Sequence, residues 1–127
     1  MTNAQELGHD PALAALTKLS EVAEAGAHEL RALDGELVAM TQRRKRGWTW
    51  VRILSTPSSS DLLSRLTRVT SELGSAGNGL RRALARALRD EGMQVTSIAA
   101  LFRVSRQRVS ALIRPDNSPT RTEPQSD

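Results

Sequence analysis

Cysteine is missing from this 127-residue chain, which excludes a disulfide framework and any thiolate metal site. Long apolar runs are missing too. No window approaches the ~20 residues of a transmembrane helix, and the segment after Met1 has neither the basic start nor the apolar run of a signal peptide. A cytoplasmic (nucleoid) location with no membrane partner is therefore expected. His9 and His28 stand without ligand partners at metal spacing, and no nucleophile motif or carboxylate pair occurs. Gly74-Ser75-Ala76-Gly77-Asn78-Gly79 lacks both the lysine and the preceding strand of a phosphate loop. No cofactor, metal, small-molecule substrate or enzymatic activity is expected. Period-2 alternation is also absent, apart from a short β-rich patch around Trp48 that cannot build a sheet. The fold class is all-α.

Lysine is scarce: all but Lys18 and Lys45 of the 18 basic residues are Arg, the side chain that holds phosphate and guanine in bidentate fashion. Against 14 acidic residues the formal charge is +4, which favours anionic partners. Its distribution is uneven. Residues 1–39 carry Glu6, Asp10, Glu21, Glu24, Glu29, Asp34 and Glu36 against Lys18 and Arg31. In residues 81–114 the sign reverses, with Arg81, Arg82, Arg86, Arg89, Arg103, Arg106, Arg108 and Arg114 against Asp90 and Glu91. A basic knot, Arg43, Arg44, Lys45 and Arg46, lies between.

The pattern divides the chain into five stretches: a flexible N-terminus over 1–10, a long helix over 11–47, connecting helices over 48–78, a compact unit over 79–114 and a disordered tail over 115–127. Asp10 and Pro11 suit the N-cap and first position of the long helix. Along it, Leu16, Leu19, Ala23, Gly26, Leu30, Leu33, Leu37 and Met40 recur at alternating spacings of three and four, a heptad stripe that must pack on another helix. Its partner is either a second copy or a later helix, and a homodimeric coiled coil through residues 11–46 is the expectation. Gly26 is a weak point in that seam, since glycine costs about 1 kcal/mol against alanine in a helix, and it leaves room for a kink or a break into two antiparallel helices. Gly47 should end the helix and Thr49 should cap a short one through Leu54.

Residues 55–60 then read as a loop whose last serines cap a helix placing Leu62, Leu63, Leu66, Val69 and Leu73 on one face. Gly74, Gly77 and Gly79 should end it. A separate helix from Leu80 to Glu91 would bury Leu80, Ala83, Leu84, Ala87 and Leu88, leave Arg81, Arg82, Arg86 and Arg89 outside, and stop at Gly92.

Residues 95–114 hold the most specific pattern. Ala99 is small where two helices would cross, and Ile98, Phe102, Val104, Val109 and Leu112 fall on inward faces. Ser105 can cap the second helix and Thr96 the first. This stretch resembles the helix-turn-helix of bacterial, actinobacterial-looking DNA-binding regulators, including the resolvase-like and sigma-factor region 4 versions. One departure is Arg103, at a turn position where that motif usually has glycine and φ is positive; a side chain there costs on the order of 1 kcal/mol.

The resemblance implies a tri-helical unit with the segment from Arg106 to Arg114 as recognition helix. It would read duplex DNA in the major groove through Arg106, Gln107, Ser110 and Ala111, with Thr96, Ser97, Arg103, Ser105, Arg108 and Arg114 on phosphates. The competing reading is an amphipathic helical hairpin with solvated arginines.

Gly47-Trp48-Thr49-Trp50-Val51-Arg52-Ile53 parallels Gly92-Met93-Gln94-Val95-Thr96-Ser97-Ile98. It suggests the start of a second, degenerate motif with no turn or recognition helix after it. Arg43, Arg44, Lys45, Arg46 and Arg52 could add a second DNA contact, while Trp48 and Trp50 read first as core aromatics. The function expected is a dimeric, sequence-specific double-stranded DNA-binding protein in transcription regulation. Its alternatives are a nucleoid-organising protein and, in another class, an adaptor that captures a helical partner such as a sigma factor.

Overall fold

In a computed structural model, which describes residues 9–115, the described residues form five helices and no strand: α1 (Pro11–Lys45), α2 (Trp50–Leu54), α3 (Pro57–Asp90), α4 (Val95–Phe102) and α5 (Arg106–Ile113). The flexible ends expected at 1–10 and 115–127 lie outside the described residues, except for His9, Asp10 and Pro115. The chain divides into two compact units, Met1–Leu80 and Arg81–Asp127, with the boundary inside α3.

α1 starts where the sequence says it should. Asp10 accepts from the backbone N–H groups of Ala12 and Leu13 at 2.9 and 3.2 Å. Its end is equally local: Trp48 N donates to Arg43 O and Gly47 N to Arg44 O, a Schellman turn that needs the left-handed φ of +95° at Gly47. No break occurs at Gly26. A Cβ there would meet Val69 Cγ1 at 3.4 Å, so the glycine marks close approach of α3 to α1.

Within the first unit α1 and α3 run antiparallel, since Glu36 meets Ser59, Glu29 meets Arg65 and Gly26 meets Val69. The long helix thus has a partner in its own chain. Its inward seam is Ala12, Ala15, Leu19, Val22, Gly26, Glu29, Leu33, Glu36, Met40 and Arg43, all buried or half-buried. Only the column of Leu19, Gly26, Leu33 and Met40 is shared with the expected stripe. Leu16, Leu30 and Leu37 stay 45–49% exposed. The rotation follows from polar pairing. Glu36 accepts from the fully buried Ser59 hydroxyl at 2.9 Å and from Arg43 at 3.1 Å, and Glu29 pairs with Arg65.

α3 corrects the sequence reading twice. Residues 58–60 are helical, with Pro57 at the first position and Ser60 N donating to Thr56 O. The glycines at 74, 77 and 79 end nothing, so no separate helix begins at Leu80: α3 is one helix of 34 residues. Three helical glycines cost about 1 kcal/mol each against alanine, yet Leu62 and Val69 anchor the helix in one unit and Ala85 and Leu88 in the other. With both flanks held helical, a break would forfeit hydrogen bonds and gain no packing.

The second unit has a closed apolar core. Ala85, Ile98, Ala99, Val109 and Leu112 are at most 5% exposed, with Leu88, Met93, Val95, Phe102, Val104 and Ile113 packed against them. Gly92, at φ +98°, ends α3 by the same turn as Gly47, with Met93 N donating to Leu88 O and Gly92 N to Arg89 O.

Candidate nucleic-acid interface

α4 and α5 are eight residues each, joined by Arg103, Val104 and Ser105. Small Ala99, 5% exposed, lets the two helices approach. Arg103 adopts the left-handed conformation, φ 59° and ψ 44°, and among the described residues no other non-glycine residue has positive φ. The resemblance implies positive φ at this turn position, and Arg103 adopts it in place of the usual glycine. Val104 N donates to Ala99 O at 3.0 Å and Arg103 N to Ala100 O at 3.3 Å, the third Schellman turn among the described residues and the one of these three without glycine.

Ser105 Oγ accepts from Arg108 N at 3.0 Å and so caps α5, as expected. Thr96 does not cap α4: the capping position is Gln94, whose side chain makes no capping bond, and Thr96 is the second helical residue. The end of α5 is held by a residue the sequence reading left outside. Arg86 on α3 donates to Ile113 O at 3.3 Å and to Arg114 O at 2.8 Å, satisfying carbonyls that a helix end leaves open. Ala85 was also missed as core. Alanine gives little hydropathy signal, and its position facing α4 and α5 emerges only from packing.

With Val109 and Leu112 buried, the opposite side of α5 presents Arg106, Gln107, Ser110 and Ala111, all exposed. Thr96, Ser97, Arg103, Ser105, Arg108 and Arg114 are exposed as well, at the start of α4, the turn and the edges of α5. From Gly92 to Pro115 the chain contains no Asp or Glu. The surface built on α4 and α5 therefore offers guanidinium, amide and hydroxyl donors with no carboxylate among them. Leu101, 62% exposed, is an apolar side chain on the same pair of helices that the sequence reading did not single out.

The other basic cluster belongs to the first unit. Thr49 caps α2 by accepting from Arg52 N at 3.1 Å. The Arg52 guanidinium lies 3.6 Å from the Trp48 ring centre and Arg43 5.6 Å from it, while Arg44 lies 5.0 Å from the Trp50 ring. Trp50 is 51% exposed. Trp50 is thus a stacking platform for arginine rather than the core aromatic it resembled, Trp48 is half-buried with Arg52 on its face, and Ile53, fully buried, is the core residue of α2. Arg43 is neutralised by Glu36 at 3.1 Å, and Arg44 donates to Trp48 O at 3.0 Å. Lys45 and Arg46 are exposed.

Two carboxylates of this unit are held below their ordinary range. Partial burial opposes the charge on Glu36, but hydrogen bonds from Ser59, Arg43 and Ser58 outweigh it. For Glu29 the hydrogen bond from Arg65 dominates, ahead of burial and of the charges of Arg65, Arg68 and His28. Among the described residues no group of His, Asp or Glu is placed to hold a metal ion, and no helix is long and apolar enough to cross a membrane. No known family, curated protein or solved structure matches this chain.

Proposed function

We propose that the chain binds double-stranded DNA, with α4, the Arg103–Ser105 turn and α5 acting as a helix-turn-helix and the last part of α3 as the first helix of the tri-helical unit. α5 is the recognition helix. Arg106 takes guanine O6 and N7, Gln107 takes adenine N6 and N7, Ser110 serves either, and Ala111 touches a thymine methyl. Thr96, Ser97, Arg103, Ser105, Arg108 and Arg114 fix the phosphate backbone. A regulator of transcription is the role this best fits.

The acid-free surface between Gly92 and Pro115, carried on a closed core, supports this reading most. A solvated helical hairpin has no reason to exclude carboxylates, whereas a phosphate-facing surface does, because each would repel the ligand. Left-handed Arg103 adds to it: an arginine tolerated where glycine costs less suits a position beside a phosphate.

Titration of the full chain with random and selected duplexes at two salt concentrations tests the reading. Binding that weakens with salt and prefers a selected duplex supports it; Arg106→Ala and Gln107→Ala should each erase about 10-fold or more of that preference. Lys45 and Arg46, exposed at the end of α1 beside the arginines stacked on Trp48 and Trp50, favour a second reading, a nucleoid-organising protein with two phosphate-binding surfaces. Salt-dependent binding with no sequence preference would select it.

A further inference from the structure

We infer that a second copy of this chain covers the open leucine face of the α1–α3 hairpin, so that two hairpins form a four-helix bundle. The antiparallel register fixed by Glu36 with Ser59, Glu29 with Arg65 and Gly26 with Val69 settles which flanks the two helices share. On α1 the column of Leu16, Ala23, Leu30 and Leu37 lies one flank away from the inward seam. On α3 Leu66 and Leu73 lie on that same flank, because right-handed helices running in opposite directions turn their corresponding columns to the same side of the pair. Leu30 then stands beside Leu66, and Ala23 beside Leu73. Leu16, Leu30, Leu37, Leu66 and Leu73 are 37–49% exposed, and Leu13 and Leu63 extend the face at 40 and 45%.

A face of two helices over this length measures roughly 40 Å by 20 Å, or about 800 Å², the area each partner contributes to a stable interface of standard size. Its chemistry favours its own copy. Ser, Thr, Ala and Gly fill the gaps between leucines, and from Leu13 to Thr41 the α1 columns that carry them hold one charge, Asp34, before Arg44 ends the Leu16–Leu37 column. A partner of either charge therefore finds nothing to recognise, while two-fold symmetry sets leucine ridges against small-residue gaps in both directions. The interface differs from a coiled coil of α1 alone because α3 supplies half of it, and it does not depend on DNA binding.

Sedimentation equilibrium of the full chain should give twice the chain mass at micromolar concentration. Leu30→Glu and Leu66→Glu should each weaken self-association by at least about 100-fold, since each buries an unpaired charge. Ala32→Glu, on the opposite flank of α1, should leave it unchanged. Because the chain has no cysteine, Leu66→Cys provides a readout that keeps the face apolar and folding intact. A short bis-maleimide should join Leu66→Cys copies into dimers far faster than it joins Arg68→Cys copies. A monomeric full chain, a dimer that survives Leu66→Glu, or equal cross-linking of the two cysteine variants would overturn the inference.

Discussion

Residues 47–54 and 92–102 enter their helices through the same backbone. Gly47 and Gly92 sit at φ +95° and +98°, Thr49 and Gln94 are extended capping residues, and six positions after each glycine comes an isoleucine with no exposed surface. Beyond that isoleucine the two segments part. After Ile98 the helix runs to Phe102, turns at Arg103 and feeds α5; after Ile53 it stops at Leu54, and Pro57 opens the long α3. The use of charge differs in step. Arg43, Arg44 and Arg52 around the first segment are engaged inside the chain, on Glu36, Trp48 and Trp50, whereas the second has no acid from Gly92 to Pro115. An identical start is thus a packing device, and the function proposed for the second segment comes from the turn and helix built after it.

The largest expected effect separates the two units. Ile98→Ala should cost about 3 kcal/mol, with hydrogen exchange accelerated from Arg81 to Pro115 while α1 and the part of α3 up to Leu80 keep their protection. Exchange that accelerates equally in the hairpin would show that the two do not unfold independently. Next comes the division of labour between the basic surfaces. Arg106→Ala should cost about 2 kcal/mol on a preferred duplex and relax preference at one base pair. Arg52→Ala should weaken binding evenly across sequences or leave it unchanged, as fluorescence anisotropy would record.

How much of this the sequence disclosed depends on whether a feature is local. The Gly47 and Gly92 stops, the Asp10, Thr49 and Ser105 caps and the left-handed Arg103 are each decided within a few residues, and each appears where the pattern put it. The α1 seam was misplaced by one column because Glu29, Glu36 and Arg43 read as solvent-facing until Arg65 and Ser59, far along the chain, are set against them. Glycines 74–79 read as a stop because propensity sees their cost and not the packed flanks that sustain the helix. For the candidate interface, the outward residues of α5 were legible from the inward ones. Arg86, tied to the carbonyls of Ile113 and Arg114, was not, since an arginine on a basic face looks like any other.

Smaller effects sharpen the comparison of turns. Arg103→Gly should raise stability by about 1 kcal/mol, whereas Gly92→Ala, at the left-handed φ of +98°, should lower it by a similar amount; thermal melting reads both. If Arg103 serves a phosphate, Arg103→Gly should also weaken DNA binding even as it stabilises the fold. The smallest effect concerns acid sensitivity of the first unit. Because the Glu36 carboxyl is held below its ordinary value, its stabilising contribution is complete above the ordinary carboxylate range and is lost as pH falls through the lowered value. Glu36→Gln should flatten the acid limb of a melting-temperature profile recorded by circular dichroism.

The most direct measurement is a fluorescence anisotropy titration of the full chain against random and selected duplexes at low and physiological salt, repeated with the Arg106→Ala, Gln107→Ala double variant. Salt-sensitive binding that prefers the selected duplex, with that preference removed by the double variant, is the expected result. Absence of binding at low salt, or a preference that the double variant leaves untouched, would contradict DNA recognition by α5.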